Sequence, residues 1–309
     1  MESIMTRRIM TVLLAITAAA CAVFAGCTQD ISTESEDSDA LVETEDTETQ
    51  PETVPETEAE TEPEPVYEIK TDPSSGICFI AHRGYSGKFH ENTDEAFIEA
   101  VNAGFGGIET DVRITKDGVF VVNHDSDVVY ADGTSLIIEE HTYEELSAKP
   151  IKNRKTDSEL YICTLERYLE ICRDGGIICV IELKGAFSEE QVVEVFNMCE
   201  EIYTLKMCQI QSFNFENLLF AHENFPDLTI MYTCDEQDAP NIAKCLEYGF
   251  NIAIDYAEMT QEMVDMFHEK GLLYDIWTCN SKGSIKYSLP FGVDFIESDY
   301  FTTIDVINQ

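Results

Sequence analysis

Ile177-Ile178-Cys179-Val180-Ile181-Glu182-Leu183-Lys184 runs into the segment Ser188–Tyr203 and then into Met207-Cys208-Gln209-Ile210-Gln211-Ser212. The outer pieces are short apolar runs rich in Ile and Val, the composition of strands. Between them Val192, Val195, Phe196, Cys199 and Ile202 recur at helical spacing and form one apolar face. Strand, amphipathic helix and strand in this order make one unit of a parallel sheet.

The same texture extends in both directions. Further candidate strands are Ile77–Ala81, Gly107–Val112, Val119–Asn123, Leu228–Tyr232, Ile252–Asp255, Leu272–Trp277 and Val293–Glu297, most of them separated by helical segments. Such alternation over about 230 residues predicts an α/β fold, a closed (β/α)8 barrel of the TIM type. Nine strands are read where a barrel needs eight. Val119–Asn123 follows its predecessor after only Thr115-Lys116-Asp117-Gly118, which suggests a hairpin at the rim, but the pattern does not say which strand is surplus.

Functional side chains of such barrels sit at the carboxyl ends of the strands. Here the first strand closes with His82-Arg83-Gly84, the second with Glu109-Thr110-Asp111, the third with His124-Asp125 and the next with Glu182-Leu183-Lys184. Residues two apart on a strand share a face. Glu109 and Asp111 therefore point the same way, as do Glu182 and Lys184. Three carboxylates in one barrel mouth repel unless a cation joins them, and hard oxygen donors suit Mg²⁺ or Ca²⁺. The bland alternative, ion pairs to Arg83, Arg113 and Lys184, explains any one carboxylate but not the set. His82 and His124 are the histidines at strand ends, a pair fit for acid–base cleavage of a P–O bond. Arg83 and Lys184 offer the charge that an anion needs. His90, His141, His222 and His268 fall in loops or helices and are read as solvated.

The set His82-Arg83-Gly84, Glu91-Asn92-Thr93, Glu109-x-Asp111-Val112, Thr115-Lys116-Asp117-Gly118, His124-Asp125 and Glu182-x-Lys184 resembles the glycerophosphodiester phosphodiesterase family. Gln211-Ser212-Phe213, Trp277-Thr278 and Gly292-Val293-Asp294 extend the likeness over nearly all of residues 76–309. The resemblance implies a distorted barrel that hydrolyses glycerophosphodiesters to glycerol 3-phosphate and an alcohol. It further implies that Glu109, Asp111 and Glu182 hold the metal and that His82 and His124 act as acid and base. Arg83, Lys184, Glu91 and Trp277 are then expected around the substrate, although Trp277 equally suits ordinary core packing. Glycerol 2-hydroxyl attack through a cyclic phosphate and direct attack by water both remain open. Other barrels with a two-histidine site, of the sphingomyelinase D or phosphatidylinositol phospholipase kind, fit Glu91-Asn92-Thr93 and Glu182-x-Lys184 less well. A tethered protein that only captures phosphodiesters has no need of two acid–base groups.

Ahead of the barrel the composition changes. Arg7-Arg8 precede an uncharged apolar run, Ile9–Gly26, that ends in Phe24-Ala25-Gly26-Cys27, which resembles a bacterial lipoprotein processing box. Residues 1–27 are thus expected to be a lipoprotein signal peptide with Cys27 as the lipidated residue, an uncleaved anchor being the alternative. Either arrangement places the rest outside the membrane, at the bacterial cell surface. Residues 28–75 read as a disordered acidic linker; within them, 28–68 hold 16 acidic and no basic residues. The formal net charge of −41 excludes routine nucleic-acid binding. Eleven cysteines without a C-x-x-C suggest buried free thiols rather than a zinc site or disulfide framework. No P-loop, G-x-S-x-G or H-E-x-x-H occurs.

Overall fold

A computed structural model describes residues 68–303. The expected signal segment 1–27 with Cys27, and the expected linker up to residue 67, lie outside the described residues. Twelve strands occur in the described chain: β1 (Cys78–Ala81), β2 (Gly107–Ile114), β3 (Phe120–Val122), β4 (Asp127–Val129), β5 (Ser135–Ile137), β6 (Cys163–Thr164), β7 (Ile178–Leu183), β8 (Cys208–Ser212), β9 (Thr229–Cys234), β10 (Asn251–Asp255), β11 (Tyr274–Trp277) and β12 (Phe295–Ser298). Eight of them, β1, β2, β7, β8, β9, β10, β11 and β12, pair in parallel in that order, and β12 returns to β1, so the sheet closes into a barrel.

The surplus strand is β3. It pairs antiparallel with the far end of β2, Val112 opposite Val122 and Ile114 opposite Phe120, and passes the pairing on to β6. The Thr115–Gly118 turn fixes that hairpin: Gly118 has φ 85, and Thr115 Oγ1 accepts from Val119 N at 2.9 Å. A second hairpin, β4 with β5, stands beside it over its own small core of Val128, Tyr130, Ile138 and Leu146.

Helices cover the barrel, and their starts are written in the sequence. Thr93, Thr164, Ser188, Asn214, Asp238, Thr260 and Ser281 each cap a helix, the side chain accepting an otherwise unpaired backbone N–H. The helix expected over Ser188–Tyr203 spans Glu189–Ile202, with Val192, Val195, Phe196 and Cys199 buried against the sheet.

Strand alternation sorts the barrel interior into layers. Cys78, Ile80, Ile178, Val180, Met231, Ala253 and Phe295 pack into an apolar floor. Next to this floor the barrel strands carry Glu109, Gln211, Thr233, Asp275 and Glu297, all buried. The floor keeps water from below, so these polar groups face only the barrel mouth. The nine cysteines of the described chain are free and buried, acting as small apolar side chains. The linker assignment runs too far at its end. Lys70 Nζ donates to Gly175 O at 2.7 Å, and the buried Asp72 carboxylate accepts from Ser74 and Ser75, so local polar contacts fold this stretch onto the barrel ahead of residue 76.

Candidate active site

The His82-Arg83-Gly84 turn folds tightly because of what lies next to it. Arg83 and Gly84 both adopt left-handed backbone, φ 57 and φ 78. A Cβ at Gly84 would meet Ala96 Cβ at 2.8 Å and its backbone carbon at 2.9 Å, so only glycine fits. The turn aims the Arg83 backbone N–H at Glu109 Oε2, 2.8 Å away. Asn92 is also left-handed, φ 54, and is buried. Its amide donates to Asp111 Oδ2 at 2.8 Å while its carbonyl accepts from Thr110 Oγ1 at 2.7 Å. Two strained non-glycine residues thus position two carboxylates, a placement typical of functional sites.

Glu109, Asp111 and Glu182 come together as expected, each offering an oxygen within 4.8 Å of the others, all buried. Burial pushes the Glu109 carboxyl well above its usual range, and the charges of Asp111, Glu297 and Glu182 add to this. Glu182 is raised by burial and by Asp111. At Asp111 burial acts the same way, but Arg83, Lys184 and the Asn92 amide outweigh it and hold the carboxylate below its usual value. Lys184 Nζ lies 2.9 Å from Glu182 Oε1 and 3.4 Å from Asp111 Oδ1; Arg83 Nε lies 3.3 Å from Asp111 Oδ2. Two cations do not satisfy three buried acids, and Glu109 Oε1 is left without a hydrogen-bond partner. An orphaned carboxylate oxygen beside two converging carboxylates fits a hard divalent cation such as Mg²⁺ or Ca²⁺. His82, Glu109 and Glu297 form an overlapping group on the other side of Glu109.

Both strand-end histidines face the same cleft, which Arg83, Glu109, Glu182, Lys184, Gln211 and Trp277 also line. His82 Nδ1 is 2.8 Å from Asp299 Oδ1, and the second Asp299 oxygen accepts from Asn280 Nδ2 at 2.7 Å. Burial opposes ionisation of Asp299, yet its bond and charge contact with His82 win and keep the carboxyl low. His124 Nδ1 is 2.9 Å from Asp125 Oδ1, and Arg113 Nη2 holds the His124 carbonyl at 2.6 Å. Arg113, offered above as a possible partner for the carboxylates, therefore serves the histidine loop instead. In each imidazole one nitrogen has a carboxylate neighbour while the ring still reaches the cleft.

Glu91 departs from its expected place around the substrate. It lies outside the cleft, with its carboxylate 3.4 Å from Arg83 Nη1, and an anion there cannot receive a phosphate. Its contact is with the arginine. Trp277 does line the cleft, edge-to-face with Phe213 at 5.9 Å. Three of the remaining histidines are partnered rather than solvated: His268 Nε2 lies 3.0 Å from Asp294 Oδ2, His141 Nδ1 lies 2.9 Å from Ile137 O, and His222 packs against Phe250. Sequence reasoning missed Asn92 as the holder of Asp111, and also Gln211, Asp275, Glu297 and Asp299. Gln211 Nε2 donates to Glu297 Oε1 at 2.8 Å and to Asp275 Oδ2 at 3.1 Å, which links these acids under the site.

Known proteins share this frame. The glycerophosphoryl diester phosphodiesterase family matches residues 82–303. A glycerophosphodiester phosphodiesterase of Bacillus altitudinis is 29% identical over 228 residues, 71% of this chain and 93% of that protein. The crystal structure of a glycerophosphodiester phosphodiesterase from Thermotoga maritima superposes with a TM-score of 0.61 at 27% identity, covering 75% of this chain and 98% of the other. A phosphodiesterase of Oleispira antarctica, solved with the product sn-glycerol-3-phosphate, has the same fold, with a TM-score of 0.67 at 21% identity over 75% of this chain and 96% of the other. With the family match running from His82 to the last described residues, over a parallel barrel whose mouth carries the acids and histidines, this chain belongs to the glycerophosphoryl diester phosphodiesterase family and is a phosphoric diester hydrolase.

Proposed function

We propose that this enzyme hydrolyses glycerophosphodiesters to glycerol 3-phosphate and an alcohol, at a divalent-cation site and with histidine acid–base catalysis. The observation that carries the reading is the convergence of Glu109, Asp111 and Glu182 in one cleft with Arg83, Lys184, His82 and His124. Glu109, Asp111 and Glu182 would hold Mg²⁺ or Ca²⁺, and the ion when bound supplies Lewis acidity toward a non-bridging phosphoryl oxygen.

The chain's own groups do the rest. Lys184 and Arg83 neutralise the phosphodiester, Arg83 steadied by Glu91 from behind. One imidazole takes the proton of the glycerol 2-hydroxyl as its oxygen bonds to phosphorus. The other protonates the alcohol oxygen as its bond to phosphorus breaks. Water then opens the cyclic phosphate with the two roles reversed, and glycerol 3-phosphate leaves. Asp299 and Asp125 orient the rings.

The N-terminal segment supports a surface location: cleavage between Gly26 and Cys27 leaves Cys27 as the first residue, its thiol carries lipid, and the acidic segment spaces the barrel from the membrane. Metabolic labelling with a fatty acid, lost in Cys27→Ala, tests the anchor. The catalytic roles are tested by His82→Ala and His124→Ala. Each should abolish glycerol 3-phosphate release while glycerol 3-phosphate still binds; turnover surviving in either variant contradicts the assignment.

A further inference from the structure

The cleft continues beyond the phosphate groups. Along β9 the inward residues after Met231 are Thr233 and then Asp235; beyond β8 the residue after Gln211 in the same series is Phe213. All three line the cleft on the side adjoining Lys184. Thr233 is 2% exposed and its hydroxyl has no hydrogen-bond partner, an unusual state for a buried donor. A ligand oxygen at that position would satisfy it.

Past Phe213 and Asp235 the cleft opens into a groove of about 440 Å³ lined also by Tyr232, Glu236, Gln237 and Asp238. Two of these polar groups are already engaged: Asp238 caps the following helix and meets the Tyr232 hydroxyl at 3.1 Å, and Gln237 Nε2 donates to Glu258 O at 2.8 Å. Asp235 and Glu236 stand exposed, and Phe213 is 41% exposed beside them. Phe213 already attracts a cation, since Lys184 Nζ lies 5.7 Å from its ring centroid.

We propose that this groove is a leaving-group subsite that selects alcohols carrying a positive charge, of the choline or ethanolamine kind. The inference rests on the glycerophosphodiester reading and specifies its substrate class. With the phosphoryl group held at Lys184, the ester substituent is directed past Thr233 onto Phe213. There the ring face and the Asp235 and Glu236 carboxylates favour an ammonium and repel an anionic alcohol. The Thr233 hydroxyl donates to an oxygen of the diester on the way.

The test compares kcat/KM for sn-glycero-3-phosphocholine and sn-glycero-3-phosphoglycerol, both followed by release of glycerol 3-phosphate. The wild type should favour the choline diester by about tenfold. Asp235→Asn combined with Glu236→Gln, both at exposed positions, should bring the ratio close to one, and Phe213→Leu should lower it in the same direction. A wild-type ratio near one, or a ratio unchanged in the variants, overturns the subsite while leaving the hydrolase reading intact. Hydrolysis of neither diester overturns the reading beneath it, and the subsite with it.

Discussion

Replacing Glu109 with Gln should make the metal-free protein more stable and the metal-supplied enzyme nearly inert. Glu109, Asp111 and Glu182 offer oxygens within 4.8 Å of one another, and unit charges at that spacing repel by roughly 3–4 kcal/mol at an effective dielectric of about 20. Two cations already offset part of this at Asp111 and Glu182. Burial, and then the charges of Asp111, Glu297 and Glu182, raise the Glu109 carboxyl well above its usual range, so without a cation its charged form is disfavoured. An amide keeps an acceptor for the Arg83 N–H and carries no charge. Near pH 8 it should recover roughly 2 kcal/mol in the chelated protein, about 4–8 °C in Tm for a domain of this size. The same change removes a ligand of the ion, and the loss of about 4 kcal/mol of transition-state stabilisation is a fall of about a thousandfold in turnover. Thermal melts with excess chelator, alongside glycerol 3-phosphate release with added Mg²⁺ or Ca²⁺, read both effects. A chelated Glu109→Gln protein that melts at or below the wild type refutes the repulsion. Turnover within tenfold of wild type refutes the ligand role.

Three further outcomes follow from the geometry. Burial raises the Asp275 carboxyl from 3.8 to about 8. The folded state therefore holds its proton longer than the unfolded chain does, and this contribution to stability is complete below the unfolded value and lost as pH rises through the folded one. Metal-free protein should weaken between about pH 4 and pH 8, and Asp275→Asn should flatten that slope in urea midpoints; an unchanged slope contradicts it. Asp299→Asn should lower kcat by about a hundredfold with little change in KM, because the ring of His82 loses its orienting carboxylate; a raised KM with normal kcat would place Asp299 in binding instead. Gly84→Ala should cost roughly 2–4 kcal/mol, because its Cβ meets the Ala96 backbone at 2.9 Å in a left-handed turn, and a melting point equal to wild type would show that the turn can relax.

The barrel was legible because its strands are punctuated. Each apolar run ends in polar residues, and each following helix opens on Ser, Thr, Asn or Asp, so element type and order followed from local chemistry. The surplus strand was only half legible: the short Thr115–Gly118 turn suggested a hairpin, but Phe120–Val122 has the same apolar content as a barrel strand, and its antiparallel pairing to β2 is what tells it apart. The carboxylate trio was readable from spacing alone, two residues apart on one strand plus one on a neighbour. The same spacing in Asp275-x-Trp277 and Glu297-x-Asp299 carried the missed signal, since both pairs point into the barrel mouth. It went unread because the first of these pairs ends on a tryptophan and the second runs past the end of the expected strand Val293–Glu297 to Asp299. Asn92 was harder still. Its role depends on a left-handed backbone and on a contact 19 residues away in sequence, neither of which residue type reveals.

Whether three acids and two imidazoles work around one cation is decided most directly by metal removal and replacement. Purified enzyme is stripped with chelator, shown by elemental analysis to be free of divalent ions, and titrated with Mg²⁺ or Ca²⁺ while glycerol 3-phosphate release is followed. Activity should vanish on stripping and return as ions bind at Glu109, Asp111 and Glu182, with no return in Glu109→Gln at the same ion concentration. Full turnover of glycerophosphodiesters by the stripped enzyme would contradict it.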